Sequence, residues 1–195
     1  LLTLGVAYTR LGRFSDTSVC LQEVIAIRRA FDNGTNLAMA LNNLGYHYHM
    51  LGEYPQALLT FQEGLQVTSR VAETRSESYL LWSMGDLQRD QGAFSEACFS
   101  YQKALQLSGK SEPFLVSSIL LSLATQQYWS GALNQALSFA QQAEKLAEQH
   151  NLAIEKKRAE VCMWAVRAQQ GEPELALERL DSIAEYFRQQ QAQPW

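Results

Sequence analysis

Apolar side chains at Leu37, Leu41, Leu44, Tyr48 and Leu51 recur three and four residues apart, the spacing that places them on one face of a helix over about 35–51. Gly52 comes next and ends that helix, because a residue without a Cβ enters positive φ without a clash. Pro55 then suits the first turn of a second helix, where its missing N–H removes no bond. That helix runs to about Val71, with Ala57, Leu58, Phe61 and Leu65 facing inward and Gly64 a further inward candidate. The predicted unit is an αα-hairpin. No stretch of the chain carries a strand pattern.

The same punctuation recurs along the chain. Gly12, Gly52, Gly92, Gly131 and Gly171 are 40, 40, 39 and 40 residues apart, and Thr17, Ala57, Ala97, Ala136 and Ala176 each follow five residues later. Self-similarity at this period predicts a stacked array in which each hairpin buries its apolar face on its neighbours. Helices are expected at 1–11 and 14–31, 75–91 and 94–108, 114–130 and 133–150, and 153–170 and 173–190. Breakers occupy the links: Asn33-Gly34, Gly109 with Pro113, and His150-Asn151. Gly5, Gly45 and Gly85 precede Thr17, Ala57 and Ala97 by twelve residues, so these small pairs are expected to let the two helices of a hairpin approach closely. Tyr8, Tyr48, Phe61 and Tyr101 are then expected to fill the gaps between hairpins.

The motifs L-G-x-x-Y (Leu44, Gly45, Tyr48; Leu4, Gly5, Tyr8), G-x-Y/F-x-x-A (Gly52, Tyr54, Ala57; Gly92, Phe94, Ala97) and A-x-x-x-F/Y (Ala57, Phe61; Ala97, Tyr101) resemble the tetratricopeptide repeat over essentially the whole chain. The period is longer than that family's usual 34 residues. It is similar to the extended repeats of kinesin light chains, Pins-type polarity adaptors and bacterial regulators related to MalT, as is the string LNNLG at 41–45. Copy four departs from the motif with Ala124 and Ala140 at the Gly and aromatic sites, and copy five with Trp164 and Leu180. The resemblance implies an all-α, right-handed α-solenoid of about five helix-turn-helix repeats and about ten antiparallel helices. One superhelical domain over 1–195 is expected, with repeats at about 1–33, 34–73, 74–112, 113–151 and 152–190. The opening on Leu1 inside a motif reads as a piece of a longer protein.

Composition narrows the function classes. A net charge of −4 argues against nucleic acid as a direct partner, since phosphate binding needs a cationic surface. No apolar run approaches the roughly 20 residues of a membrane span. Cys20, Cys98 and Cys162 fit neither a zinc module nor a redox pair, and are expected to be buried thiols in a reducing, cytoplasmic setting. The apolar start (Leu1, Leu2, Leu4, Val6, Ala7) offers a surface for end-to-end association, an artefact if a preceding repeat normally covers it.

In such repeats the first helices line a concave wall. The resemblance therefore singles out Met39, Asn42, Tyr46, His49 and Met50, then Tyr79, Trp82, Asp86, Arg89 and Asp90, then Leu121, Thr125, Tyr128 and Trp129. Aromatic and Arg side chains carry much of the energy at protein interfaces, which points to a bound protein or peptide. Trp82 and Trp129 read equally as plugs between hairpins, whereas Asn42 and Arg89 are expected to face a ligand. Asp86 and Asp90 beside Arg89 argue against capture of a C-terminal carboxylate. His47 and His49, two apart, lie on different helix faces and cannot share a metal as an i, i+4 pair does. No nucleophile-base pair or phosphate loop is present, so neither enzyme activity nor a cofactor is expected. The expected function is an interaction scaffold within a regulatory protein. The alternative is a ligand-sensing domain of a MalT-like transcriptional regulator.

Overall fold

Turn geometry sets each hairpin. The computed structural model of the chain describes residues 14–31, 34–109 and 112–192. Among these residues there are nine α-helices and no strand: α1 (Phe14–Ala30), α2 (Gly34–Met50), α3 (Tyr54–Val71), α4 (Thr74–Asp90), α5 (Phe94–Ser108), α6 (Pro113–Trp129), α7 (Leu133–Gln149), α8 (Ala153–Gln169) and α9 (Pro173–Ala192). Gly52, Gly92, Gly131 and Gly171 have φ of 77°, 78°, 80° and 108°, the left-handed region expected at a helix end. The N–H of the next residue reaches back five positions in the first three of these turns: Glu53 to Tyr48, Ala93 to Gln88 and Ala132 to Gln127, each at 2.9 Å. This bond satisfies a carbonyl that the helix end would orphan. Gly12, Gly5, Tyr8, Asn33 and the apolar start lie outside the described residues.

Close backbone contacts divide the chain into two units, Leu1–Ser108 and Gly109–Trp195. Within the first, α2 packs on α3 and α4 on α5 as hairpins, α1 packs on α2, α3 on α4, and the first helices α2 and α4 touch. Within the second, α6 packs on α7, α7 on α8 and α8 on α9, and α6 touches α8. One cluster joins Leu21, Val24 and Ile25 of α1 to Ala40, Leu41 and Leu44 of α2. Another joins Ala38 of α2, Ala57 and Phe61 of α3, and Leu80, Met84 and Leu87 of α4. The small residues five positions after the turn glycines, Thr17, Ala57, Ala97, Ala136 and Ala176, are all buried.

The structure shows what the mid-helix glycines make room for. A Cβ on Gly45 would meet the Phe61 ring at 2.5 Å, and one on Gly85 would meet the Tyr101 ring at 2.5 Å. The glycine therefore seats the aromatic side chain of its own hairpin, where Ala57 and Ala97 are buried as well. Phe61 and Tyr101 are fully buried there, and Phe61 also belongs to the cluster with Leu80, Met84 and Leu87 of the next hairpin, the gap-filling place expected of it. Copy four balances the same site differently: Ala124 takes the glycine position, Ala140 takes the aromatic one, and both are fully buried. A polar element repeats as well, because Ser78 Oγ donates to Ala104 O at 2.7 Å and Ser117 Oγ to Ala143 O at 3.4 Å.

Three local features differ from expectation. Ala72 closes α3 in the left-handed region at φ 51° although no glycine is present. Glu73 then caps α4, its carboxylate accepting from Arg75 N at 3.1 Å and Ser76 N at 2.7 Å. Cys20 is buried, whereas Cys98 and Cys162 are half-buried.

Candidate functional site

Met39, Asn42, Tyr46 and His49 rise along α2 at helical spacing, and Tyr79, Trp82, Asp86 and Arg89 repeat the stripe on α4, which packs beside it. The two helices are joined near their ends, where His49 Nε2 lies 2.9 Å from Asp90 Oδ2. His49 also has its ring 5.8 Å edge-on from that of Tyr54. It is buried, so the sequence reading that placed it on an open wall is corrected.

Arg89 stands at the centre of the polar part. Its guanidinium donates to Asp86 Oδ1 and to Asp90 Oδ1, both at 2.9 Å, and the Tyr101 hydroxyl of α5 donates to Asp86 Oδ1 at 2.7 Å. Burial opposes the arginine's charge, but the Coulombic pull of Asp86, Tyr101 and Asp90 and the Asp90 hydrogen bond outweigh it and raise its pKa. Arg89 is thus a cation held in a network within the chain, with its side chain 15% exposed. Sequence reading missed the Tyr101 hydroxyl. Its signal was present, since the copy with Tyr at the aromatic site also has Asp86 fifteen residues earlier, whereas Phe61 has Tyr46.

The remaining candidates separate by exposure. Asn42 is only 7% exposed, which overturns its expected place on the ligand side, and its Oδ1 meets no donor among the described residues. Leu121 is buried too. Thr125 is turned inward: its hydroxyl donates to Leu121 O at 2.9 Å and lies 3.8 Å from Cys162 Sγ on α8. Burial pushes that thiol's pKa up, with the Thr125 contact and Arg158 working the other way. Met39 and Tyr128 are half-buried. Tyr79 and Trp82 are half-buried with ring centroids 6.3 Å apart, and the Arg75 guanidinium lies 5.6 Å over Tyr79. Tyr46 at 48% and Trp129 at 53% are exposed, as is Met50. Packing therefore suits Trp82 better than Trp129.

His47 behaves as a core residue, 4% exposed with its Nε2 lacking a partner among the described residues. Burial lowers its pKa, against the opposing effects of the Phe14 backbone and Glu53. Among the described residues no group of three or more His, Cys, Asp or Glu is arranged to hold a metal ion, and no helix is long and apolar enough to cross a membrane.

Comparison with solved structures agrees with the hairpin array. BtubC (BKLC) from P. vanneervenii superposes with a TM-score of 0.77 at 14% identity, over 98% of this chain and 80% of that one. A Podosopora anserina protein of nearly identical TPR-like repeats, provisionally named a kinesin light chain, superposes with a TM-score of 0.70 at 14% identity, over 98% and 95%. At such identity the likeness shows the fold, a TPR-like repeat solenoid. No curated protein matches the sequence. The model of the MalT-like TPR region matches residues 1–194, and the chain belongs to that family.

Proposed function

We propose that this chain is a protein-interaction scaffold whose first unit presents the α2–α4 face to a peptide or a partner domain, as one module of a regulatory protein. The observation that carries this reading is the aromatic surface on two packed first helices: Tyr46, 48% exposed on α2, and the half-buried Tyr79–Trp82 pair on α4. Amphipathic aromatic surface of this kind supplies interface energy at small entropic cost. On the same two helices, the Arg89, Asp86, Asp90 and His49 network is paired within the chain, so the face asks for no compensating charge from its partner. That favours a partner of mixed or apolar character over a free carboxylate. The net charge of −4 supports a protein partner rather than nucleic acid, in a cytoplasmic setting and without a catalytic step.

The test is affinity capture with the wild type beside Tyr46→Ala/Trp82→Ala, choosing these over Arg89 because removing Arg89 would strand two partly buried carboxylates. Buried interface Trp and Tyr residues typically contribute about 2 kcal/mol or more, so a captured partner should bind about 30-fold more weakly to the variant. Equal capture by a variant that melts like the wild type would refute the reading. The family match favours a second reading, a ligand-sensing domain of a MalT-like regulator. A nucleotide-binding or helix-turn-helix domain in the same gene product would favour sensing.

A further inference from the structure

A cleft of about 440 Å³ opens between the C-terminal ends of α1 and α3 and the first turn of α2. Among the described residues, Arg28 and Arg29 of α1 and Arg70 of α3 line it, against one carboxylate, Glu63. The described lining residues, three cations and one anion, sum to a charge of +2 in a chain whose net charge is −4. Glu63 is paired with Arg29, which leaves the charges of Arg28 and Arg70 in surplus. Arg28 Nε is buried and meets no acceptor among the described residues. A guanidinium N–H withdrawn from water calls for an acceptor, preferably an anionic one. The positive end of the α2 dipole meets the negative ends of α1 and α3 here, so the attraction for an anion rests on the arginines rather than on the helix dipoles. Leu37 and Val67 make part of the lining apolar.

We propose that this cleft binds a soluble phosphate monoester with an apolar body, its phosphate between Arg28 and Arg70 and its body against Leu37 and Val67. A phosphate monoester carries close to two negative charges at neutral pH, matching the surplus, whereas a carboxylate carries one. The site does not depend on the α2–α4 face.

Calorimetric titration of the whole chain with octyl phosphate tests this, with inorganic phosphate, 1-octanol and octanoate as comparison probes. Octyl phosphate should bind at least about tenfold more tightly than each of the three, since each lacks the dianionic head or the apolar body. Arg70→Gln, at an exposed position, should lose about tenfold in affinity while melting like the wild type, and Arg28→Lys should weaken binding by removing the Nε donor while keeping the charge. Arg158→Gln, an exposed change on α8, should bind like the wild type. Unchanged affinity in Arg70→Gln, or octanol or octanoate binding as tightly as octyl phosphate, would overturn the proposal. So would flotation with phosphatidic acid vesicles in the absence of octyl phosphate binding.

Discussion

Gly45 should be intolerant of a single methyl group, and only while Phe61 is present. An added Cβ would lie 2.5, 2.6 and 3.1 Å from Cε1, Cδ1 and Cζ of Phe61, where ordinary carbon contacts begin near about 3.5 Å. The ring is fully buried and clamped among Ala38, Ala57 and Leu80, so it cannot swing aside. Overpacking of this kind costs about 1–3 kcal/mol, and two ring atoms each displaced by nearly an ångström put this case at the upper end. Replacing a mid-helix glycine by alanine returns about 1 kcal/mol of helix propensity. Gly45→Ala should therefore destabilise by about 2 kcal/mol, lowering Tm by about 4–8 °C in a chain of this size. Phe61→Ala alone should cost about 3–5 kcal/mol through the cavity it leaves. In that background Gly45→Ala meets no ring and should stabilise by about 1 kcal/mol, so the coupling is about 3 kcal/mol. The chain already carries this outcome in Ala124 and Ala140. Urea unfolding of the wild type, both single variants and the double variant, followed by circular dichroism, measures the cycle. Additivity within about 0.5 kcal/mol would show that the glycine does not seat the ring.

Ala72→Gly should stabilise by about 1 kcal/mol in the same assay, because φ of 51° is strained for a residue with a Cβ; no gain would mean the strain is absent. Glu73→Ala should lose about 1 kcal/mol with the two backbone N–H groups it caps left unpaired, and Glu73→Asp should retain most of that in thermal melts. His47 has a folded pKa below its unfolded value of about 6.5, so the unfolded chain binds the proton first and stability falls as pH drops below about 6.5. Melting curves between pH 7.5 and 5.5 should show a smaller decline in His47→Gln, and an identical decline would remove His47 as the cause.

Much of the fold was open to local argument. The turn glycines, the buried small residues five positions on, Pro113 at the start of α6 and Asn151 at φ 55° follow from steric preferences and helical period, which act within a few residues. Among the described residues, helix ends fell within two residues of expectation for the same reason. The stripe on the first helices was also readable, but which of its members meet solvent was not. Asn42 and His49 turn inward while Tyr46 stays out, because a neighbouring helix about 40 residues away covers part of the face. Arg89 became a structural cation only when Tyr101 and Asp90 closed on it and on Asp86, and Gly45 acquired its purpose only from Phe61. Arg28, Arg29 and Arg70 converge from helices whose charges look like ordinary solvated ends in one dimension. Periodicity and backbone sterics are properties of a segment, and the sequence alone determined them. Contacts depend on how each helix is rotated and offset against its neighbours, a balance of packing summed over many distant residues, and only the tertiary structure decided that.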